Sequence, residues 1–564
     1  MKQKPIIYQL VNRLFGNTNP TCKFNGTIEE NGCGKFAAIT PKAIKEIKAL
    51  GCTHIWYTGI IEHATGTNYS AFGIAKDNPN VVKGNAGSPY AIKDYYDVNP
   101  DLATDVTHRM KEFEALVKRT HKEEVKVIID FVPNHVARQY KSDAKPKKVA
   151  DFGENDNINV HFDPQNNFYY IPNEAFNPQI PIQFDQEPYS EFPARATGND
   201  CLHSNPTVHD WYETIKLNYG IDYSNRGQRC FNPIPSTWIK MKDILLFWAK
   251  KGIDGFRCDM AEMVPVEFWG WVIPQIKAKH PEILFIAEVY NPNEYRNYIF
   301  QGKFDYLYDK VGLYDALKIV TKGHVSASVI TGCWQSLGGI ESRMLNFLEN
   351  HDEQRVASEY FAGDPFKAIP SLIVSATIGT APFMLYFGQE LGEKGMDYEG
   401  FSGRDGRTTI FDYWSPSTLR HWYNDGKCNL AKLTKEEKDL RKIYNKIMLL
   451  CNEEAAIREG EFFDLMYANY NNPAFNPERQ YAYLRKHGDD LILIVVNFGT
   501  NDIDININIP QHAFQYFKMV AKKNCEFTDL LTSKSIKREF SANIPFRMQL
   551  KAHSGAILKA SFLE

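Results

Sequence analysis

Over most of its length the chain alternates short, continuous apolar runs with longer segments in which apolar residues recur at helical spacing. The runs are Ile6–Phe15, Thr53–Ile60, Val127–His135, Gly252–Asp259, Leu284–Val289, Phe304–Val311, Leu345–Asp352 and Ala381–Glu390. Their apolar continuity reads as strands buried on both faces. Helices are expected over Thr40–Gly51, Asp105–His121, Ser236–Lys251, a segment after Pro265, Val325–Leu337 and Thr434–Glu454. The first has Thr40 as N-cap, Pro41 at the first helical position and Gly51 beyond its end, each favoured by terminal backbone geometry. Strand and helix in alternation predict a parallel sheet with helical crossovers. Eight such strands predict an α/β fold of the closed (β/α)8 TIM barrel kind.

Two stretches break the alternation. Residues 136–222 follow the third strand without regular periodicity, which fits a functional excursion or an inserted subdomain. Within them, the aromatics of Asp163–Pro172 either line a cleft or pack the insert. Beyond residue 455 the pattern becomes short strands, Gln480–Arg485, Leu491–Phe498, Ile503–Ile509 and Gly555–Phe562, separated by turn residues. The expected division is a barrel of residues 1–135 and 223–455, an insert of 136–222 and a C-terminal all-β unit of 456–564. A chain of 564 residues also exceeds what one hydrophobic core usually serves.

Composition narrows the class of partner. With 43% hydrophobic and 24% charged residues, the chain reads as an ordinary globular protein. A formal net charge of −3 offers no global attraction to nucleic acid or anionic lipid, and Lys145-Pro146-Lys147-Lys148 reads as a solvated loop. The 10 cysteines show neither C-x-x-C pairs nor metal-ligand spacing, as expected of free thiols in a reducing compartment. The N-terminus passes from Met1-Lys2-Gln3-Lys4 directly into the first strand, and no apolar run reaches membrane-spanning length. A cytoplasmic protein is expected, although a secreted one trimmed of its signal would look the same.

The candidate chemistry lies at strand ends. Side chains two apart on a strand share a face, so Arg257 and Asp259 should be neighbours, with the guanidinium holding the acid ionised as a nucleophile requires. Cys258 between them should face the other way. Polar residues also close the runs ending at Asp130 to His135, at Glu288 and at Glu349 to Asp352. Glu288 follows Leu284-Phe285-Ile286-Ala287 with no cation adjacent in sequence, a setting that should keep a carboxyl protonated to higher pH.

These four stretches resemble the short signature regions of the α-amylase superfamily of glycoside hydrolases, of the family 13 type. Gly87–Pro100 likewise resembles the family's tyrosine-bearing loop. The resemblance implies an inserted domain B after the third strand and a C-terminal β-sandwich. It also implies retaining cleavage of α-1,4 bonds in an α-glucan or maltooligosaccharide, with Asp259 as nucleophile, Glu288 as acid and base, and Asp352 as the third acid gripping ring hydroxyls. Tyr90 would stack on the sugar, His135 and His351 would bind it, and Asp130 would orient the site. Asn134 falls where the family often ligates a structural calcium, while the chemistry itself needs no cofactor. Starch-acting relatives commonly carry Lys-His just past the nucleophile, where this chain has Glu262-Met263. Glu262 is therefore expected either on the leaving-side sugar, favouring short or soluble glucans, or paired with a nearby cation, leaving selectivity untouched. Two other readings stand beside hydrolysis: a glucanotransferase using the same intermediate, and a non-catalytic carbohydrate-binding relative.

Overall fold

The eight apolar runs form strands β1 (Ile6–Val11), β2 (His54–Thr58), β3 (Lys126–Phe131), β4 (Gly255–Cys258), β5 (Leu284–Ala287), β6 (Tyr306–Tyr308), β7 (Met344–Phe347) and β8 (Phe383–Tyr386). In the computed structural model, which describes residues 3–180, 188–401, 403–542 and 544–562, each strand pairs in parallel with its neighbours in the chain, and β8 closes the barrel on β1.

Two of the surrounding helices each bury one face, whereas Ile369–Thr377 is buried all round. Helix α1 (Pro41–Ala49) is capped by Thr40, whose hydroxyl accepts the Ala43 amide at 3.2 Å, and buries Ala43, Ile44 and Ile47. Helix α2 (Arg109–Lys122) buries Phe113, Leu116, Val117 and Thr120, with the Phe113 ring 5.6 Å from Trp248 of α3 (Ser236–Ala249). It starts later than the sequence suggests. The side chain of Asp105 caps a single 3-10 turn, Val106–His108, before the α-helix begins. These buried i, i+3 and i+4 positions account for the helical spacing of the apolar residues.

The insert returns to the barrel where it leaves. Residues His135–Ala137 pair antiparallel with Thr214–Lys216 directly beyond β3. The aromatics of its Asp163–Pro172 stretch pack the insert rather than a cleft: Phe168, Tyr169 and Tyr170 are buried, with the Tyr169 and Tyr170 hydroxyls donating to Ile221 O and Asp156 Oδ2.

The C-terminal unit contains β9 (Glu461–Asp464), β10 (Gln480–His487), β11 (Asp490–Asn497), β12 (Ile503–Ile507), β13 (Lys522–Asp529), β14 (Ser535–Phe540), β15 (Phe546–Leu550) and β16 (Ser554–Ser561). Six of them form an antiparallel sheet in the order β9-β10-β11-β16-β13-β14, and β12 pairs with β15 as a second sheet. Strands β13 to β15 escape the sequence reading because they bury few residues, such as Cys525 and Phe527 in β13, and otherwise face solvent. The buried Arg485 of β10 ties this unit to the barrel by donating to the carbonyl of Ile378, and donates as well to the carbonyls of Ala456, Ile457 and Gly460 within its own unit. Among the described residues, no helix is long and apolar enough to cross a membrane.

An antiparallel pair, Ile61–His63 with Ile92–Val98, follows β2 and brings the tyrosine loop to the barrel mouth. Here Glu62 is fully buried, and neither of its carboxyl oxygens has a hydrogen-bond partner. Burial, reinforced by Asp94, Asp143 and Asp97, pushes its pKa up to about 9 from an ordinary 4.5. The folded state then holds a proton that the unfolded chain releases, so this group's contribution to stability falls as pH rises between those two values. Glu62→Gln should flatten the decline in thermal melting temperature between about pH 5 and 8.5. An unchanged slope in melts across that range would refute this.

Candidate active site

The barrel ladder runs one residue past β4 and β5. The Asp259 amide donates to Phe131 O at 2.9 Å and the Glu288 amide to Cys258 O at 3.1 Å, so both carboxylates stand at the carboxyl ends of adjacent strands. Beneath them lies Arg257, fully buried. Its Nη1 donates to Asp259 Oδ1 at 2.7 Å, while its Nη2 lies 2.7 Å from Glu288 Oε2. Nε donates to the Tyr308 hydroxyl at 3.1 Å, and Asp130 Oδ1 lies 3.5 Å from Nη1. The rings of Trp56, Tyr90 and Tyr308 surround the guanidinium at 5.3, 5.4 and 5.6 Å. The absence of a cation next to Glu288 in sequence therefore does not hold in space. Parallel register sets β5 beside β4, and one arginine serves both carboxylates.

Burial pushes the Asp259 carboxyl well above its ordinary range, against the expectation that the neighbouring guanidinium holds it ionised. Arg257 opposes this by charge and hydrogen bond, and Glu288 adds to it by repulsion. Asp259 Oδ2 is buried and accepts no hydrogen bond, whereas Oδ1 is held by Arg257. Glu288 is gripped at both oxygens: Oε2 accepts the Met260 amide at 2.8 Å, and Oε1 accepts the Tyr290 hydroxyl at 2.6 Å. Met260 adopts φ +41°, a left-handed conformation that side chains rarely take, and this turns its amide toward Glu288.

A second group completes the floor. The Tyr90 ring stacks on His351 with centroids 5.1 Å apart, and its hydroxyl is 2.7 Å from His351 Nε2. Asp352 Oδ2 lies 2.9 Å from the same nitrogen. Gln9 Nε2 meets His351 Nδ1 at 2.8 Å, leaving Nε2 to carry the proton toward Tyr90 and Asp352. Asp130 accepts the Trp56 indole N–H at 3.0 Å and sits 3.4 Å from the Tyr90 hydroxyl. Burial, with the charges of Lys216 and Lys83, pushes the pKa of His135 down to about 3, so it is neutral at ordinary pH. Its ring lies 5.2 Å from Trp211 of the insert.

The resulting cavity of about 570 Å³ is lined by Tyr90, His135, Asp259, Glu288, His351 and Asp352 together with Lys83, Trp211, Glu213, Met260, Tyr290, Lys310 and Glu353. Trp56, Gln9 and Tyr308 escape sequence reasoning because they lie inside ordinary-looking strands. Only their inward direction marks them. Cys258 faces away from the cavity and is fully buried.

Two further sequence expectations are corrected. Glu262 does not line this cavity: its Oε2 accepts the backbone amides of Tyr290 and Asn291 at 3.1 and 3.0 Å, which removes the stated basis for a short-glucan preference. Asn134 is buried, and its Oδ1 accepts the Lys216 ammonium at 2.9 Å while its Nδ2 donates to Gly198 O at 2.7 Å. The same ammonium lies 2.5 Å from Asp200 Oδ1. Calcium takes roughly six to eight oxygen ligands. Here a cation already occupies the oxygen that calcium would need, and no cluster of three or more His, Cys, Asp or Glu side chains among the described residues is arranged for a metal. These residues do not fit a resident calcium.

A closed (β/α)8 barrel with three carboxylates and a buried arginine at the carboxyl ends of its strands has the make-up of a glycoside hydrolase catalytic domain. The model of the α-amylase catalytic domain matches residues 12–449, and the chain belongs to the α-amylase family of glycoside hydrolases. Alpha-amylase 3 of Dictyoglomus thermophilum is 23% identical over 450 residues, spanning 74% of this chain and 76% of the relative. An α-1,4-glucan:maltose-1-phosphate maltosyltransferase of Burkholderia pseudomallei is 31% identical over 96 residues, 16% of this chain and 8% of that protein. Among solved structures, the α-amylase of Geobacillus thermoleovorans in complex with acarbose superposes with a TM-score of 0.63 at 18% identity, covering 99% of this chain and 98% of the other.

The Lys216 contact yields a test. Lys216→Met keeps the stem but strips the buried Asn134 oxygen of its donor, and should lower unfolding free energy by roughly 1–3 kcal/mol in urea melts. Dialysis of the wild type against EDTA should leave its melting temperature unchanged. A fall would reveal a metal that this donor set does not account for.

Proposed function

We propose that the protein is a retaining α-glucan hydrolase that cleaves α-1,4-glucosidic bonds through a covalent glycosyl-enzyme. The observation that carries this reading is the pair of carboxylates on one guanidinium, with Asp259 Oδ1 fixed at 2.7 Å and Oδ2 left without a partner. That free oxygen is the one to attack the anomeric carbon. Glu288 on the adjacent strand gives its proton to the departing glycosidic oxygen, then takes one from the water that releases the sugar. Retaining enzymes need the two groups about 5 Å apart, as side chains at neighbouring strand ends can be. Tyr90 offers a ring face to the sugar, and Asp352, beside His351, offers its carboxylate to ring hydroxyls. The names of the relatives support α-glucans or maltooligosaccharides as the substrate class.

Transfer of the glycosyl group to another sugar shares every step before water enters. The short match to a maltosyltransferase keeps that reading open. Incubation with maltoheptaose decides between them, because hydrolysis yields only shorter products and transfer also yields longer ones.

Asp259→Asn should fold normally and lose at least about a thousandfold in kcat, as removal of an essential nucleophile does. Retention of a tenth of wild-type activity would rule out Asp259 as the nucleophile. Glu288→Gln should lose far more activity on maltooligosaccharides than on α-maltosyl fluoride, whose leaving group needs little protonation. Equal losses on both would remove Glu288 from the role.

A further inference from the structure

We infer that Glu262 is a positioning residue for the proton donor, acting through the segment that carries Tyr290 rather than through the sugar. The inference rests on the role of Glu288 proposed above.

Glu262 lies in the 3-10 turn Ala261–Met263 just beyond β4. That turn is a firm seat. The Trp269 indole donates to Ala261 O at 3.1 Å, and the Tyr298 hydroxyl lies 3.0 and 2.9 Å from the carbonyl oxygens of Glu262 and Val264. From this seat one carboxylate oxygen accepts both the Tyr290 and the Asn291 amides. These two amides open the loop after β5, where the Asn291 side chain in turn accepts the Asn293 amide at 3.1 Å and starts the next turn. The backbone of Tyr290 is therefore held from the end of β4, and its hydroxyl is delivered 2.6 Å from Glu288 Oε1.

The two oxygens of Glu288 differ in support. Oε2 has the Met260 amide and Arg257, both from β4 or its end. Oε1 has the Tyr290 hydroxyl. If the loop slackened, Oε1 would lose its restraint and the carboxyl would turn on its Oε2 contacts. The proton would then no longer point along one direction into the cavity. Glu262 thus links the end of the nucleophile's strand to the orientation of the acid on the next one. A lysine at this position could not take the part, because an ammonium has no acceptor for backbone amides.

The test compares Glu262→Ala, Glu262→Gln, Tyr290→Phe and the Glu262→Ala/Tyr290→Phe double variant, with kcat and KM measured on maltoheptaose and on α-maltosyl fluoride. Glu262→Ala and Tyr290→Phe should each lower kcat on maltoheptaose about tenfold, a fraction of what a general acid supplies, and change the fluoride by less than about twofold. The double variant should be no worse than the poorer single one, since both break the same link. Glu262→Gln keeps a carbonyl acceptor and should retain most of the activity. Equal losses on both substrates, losses that multiply in the double variant, or a lower melting temperature with unchanged kinetics would each overturn the positioning role. Glu288→Gln separates the two readings. If it spares the fluoride while the Glu262 and Tyr290 variants do not, only the positioning role falls. If it loses both substrates alike, the proton-donor assignment fails and this inference falls with it.

Discussion

The guanidinium of Arg257 is the constraint on which the site depends. It is fully buried beneath Asp130, Asp259 and Glu288, which are themselves 5%, 5% and 3% exposed. Carboxylates taken this far out of water are costly unless paired, and removing one partner from such a buried set typically costs about 3–5 kcal/mol. The cluster pairs its negative charges around one cation and surrounds that cation with the faces of Trp56, Tyr90 and Tyr308. These are the electron-rich surfaces that attract a desolvated guanidinium. Each of the three carboxylates therefore has a contact with the one cation that offsets part of the cost of its burial, and Asp259 and Glu288 stand directly at the ends of barrel strands.

Around this centre the supporting contacts run between neighbouring strand ends. Met260, held at φ +41°, turns its amide onto Glu288, and Glu262 steadies the segment that brings Tyr290 to the same carboxyl. On the other side, Gln9 from β1 sets the His351 ring that Tyr90 covers, and the Arg407 guanidinium holds the backbone of Asp352 at its carbonyl oxygen. The wall contributed by the insert is joined to the barrel by the 135–137 and 214–216 strand pair and by the Lys216 ammonium on Asn134. That ammonium links the two units with one charge and directed hydrogen bonds, to Asn134 on the barrel side and beside Asp200 in the insert.

Much was legible without coordinates. Six of the barrel strands sit within the apolar runs and the other two, β3 and β7, begin one residue earlier, because a parallel strand covered on both faces must be apolar along its length. Capping chemistry placed helix α1, and the structure adds a reciprocal capping box of Thr434 and Glu437 at the start of Lys435–Glu453. The C-terminal strands were only partly legible. Edge strands such as β14, with most of its residues toward solvent, leave little apolar signature. The candidate acids were visible because each closes an apolar run, and a barrel gathers such ends at one mouth.

What the sequence by itself determined is the order of elements, the strand-end positions of Asp259, Glu288 and Asp352, and the pairing of Arg257 with Asp259 by the two-residue repeat of a strand. Tertiary structure alone decided that the same arginine reaches Glu288, that a lysine takes the oxygen of Asn134, and that Glu262 turns to backbone amides instead of the cavity. Each of these depends on which strand lies beside which and in what register. Such relations join residues far apart in the chain, and no local spacing encodes them.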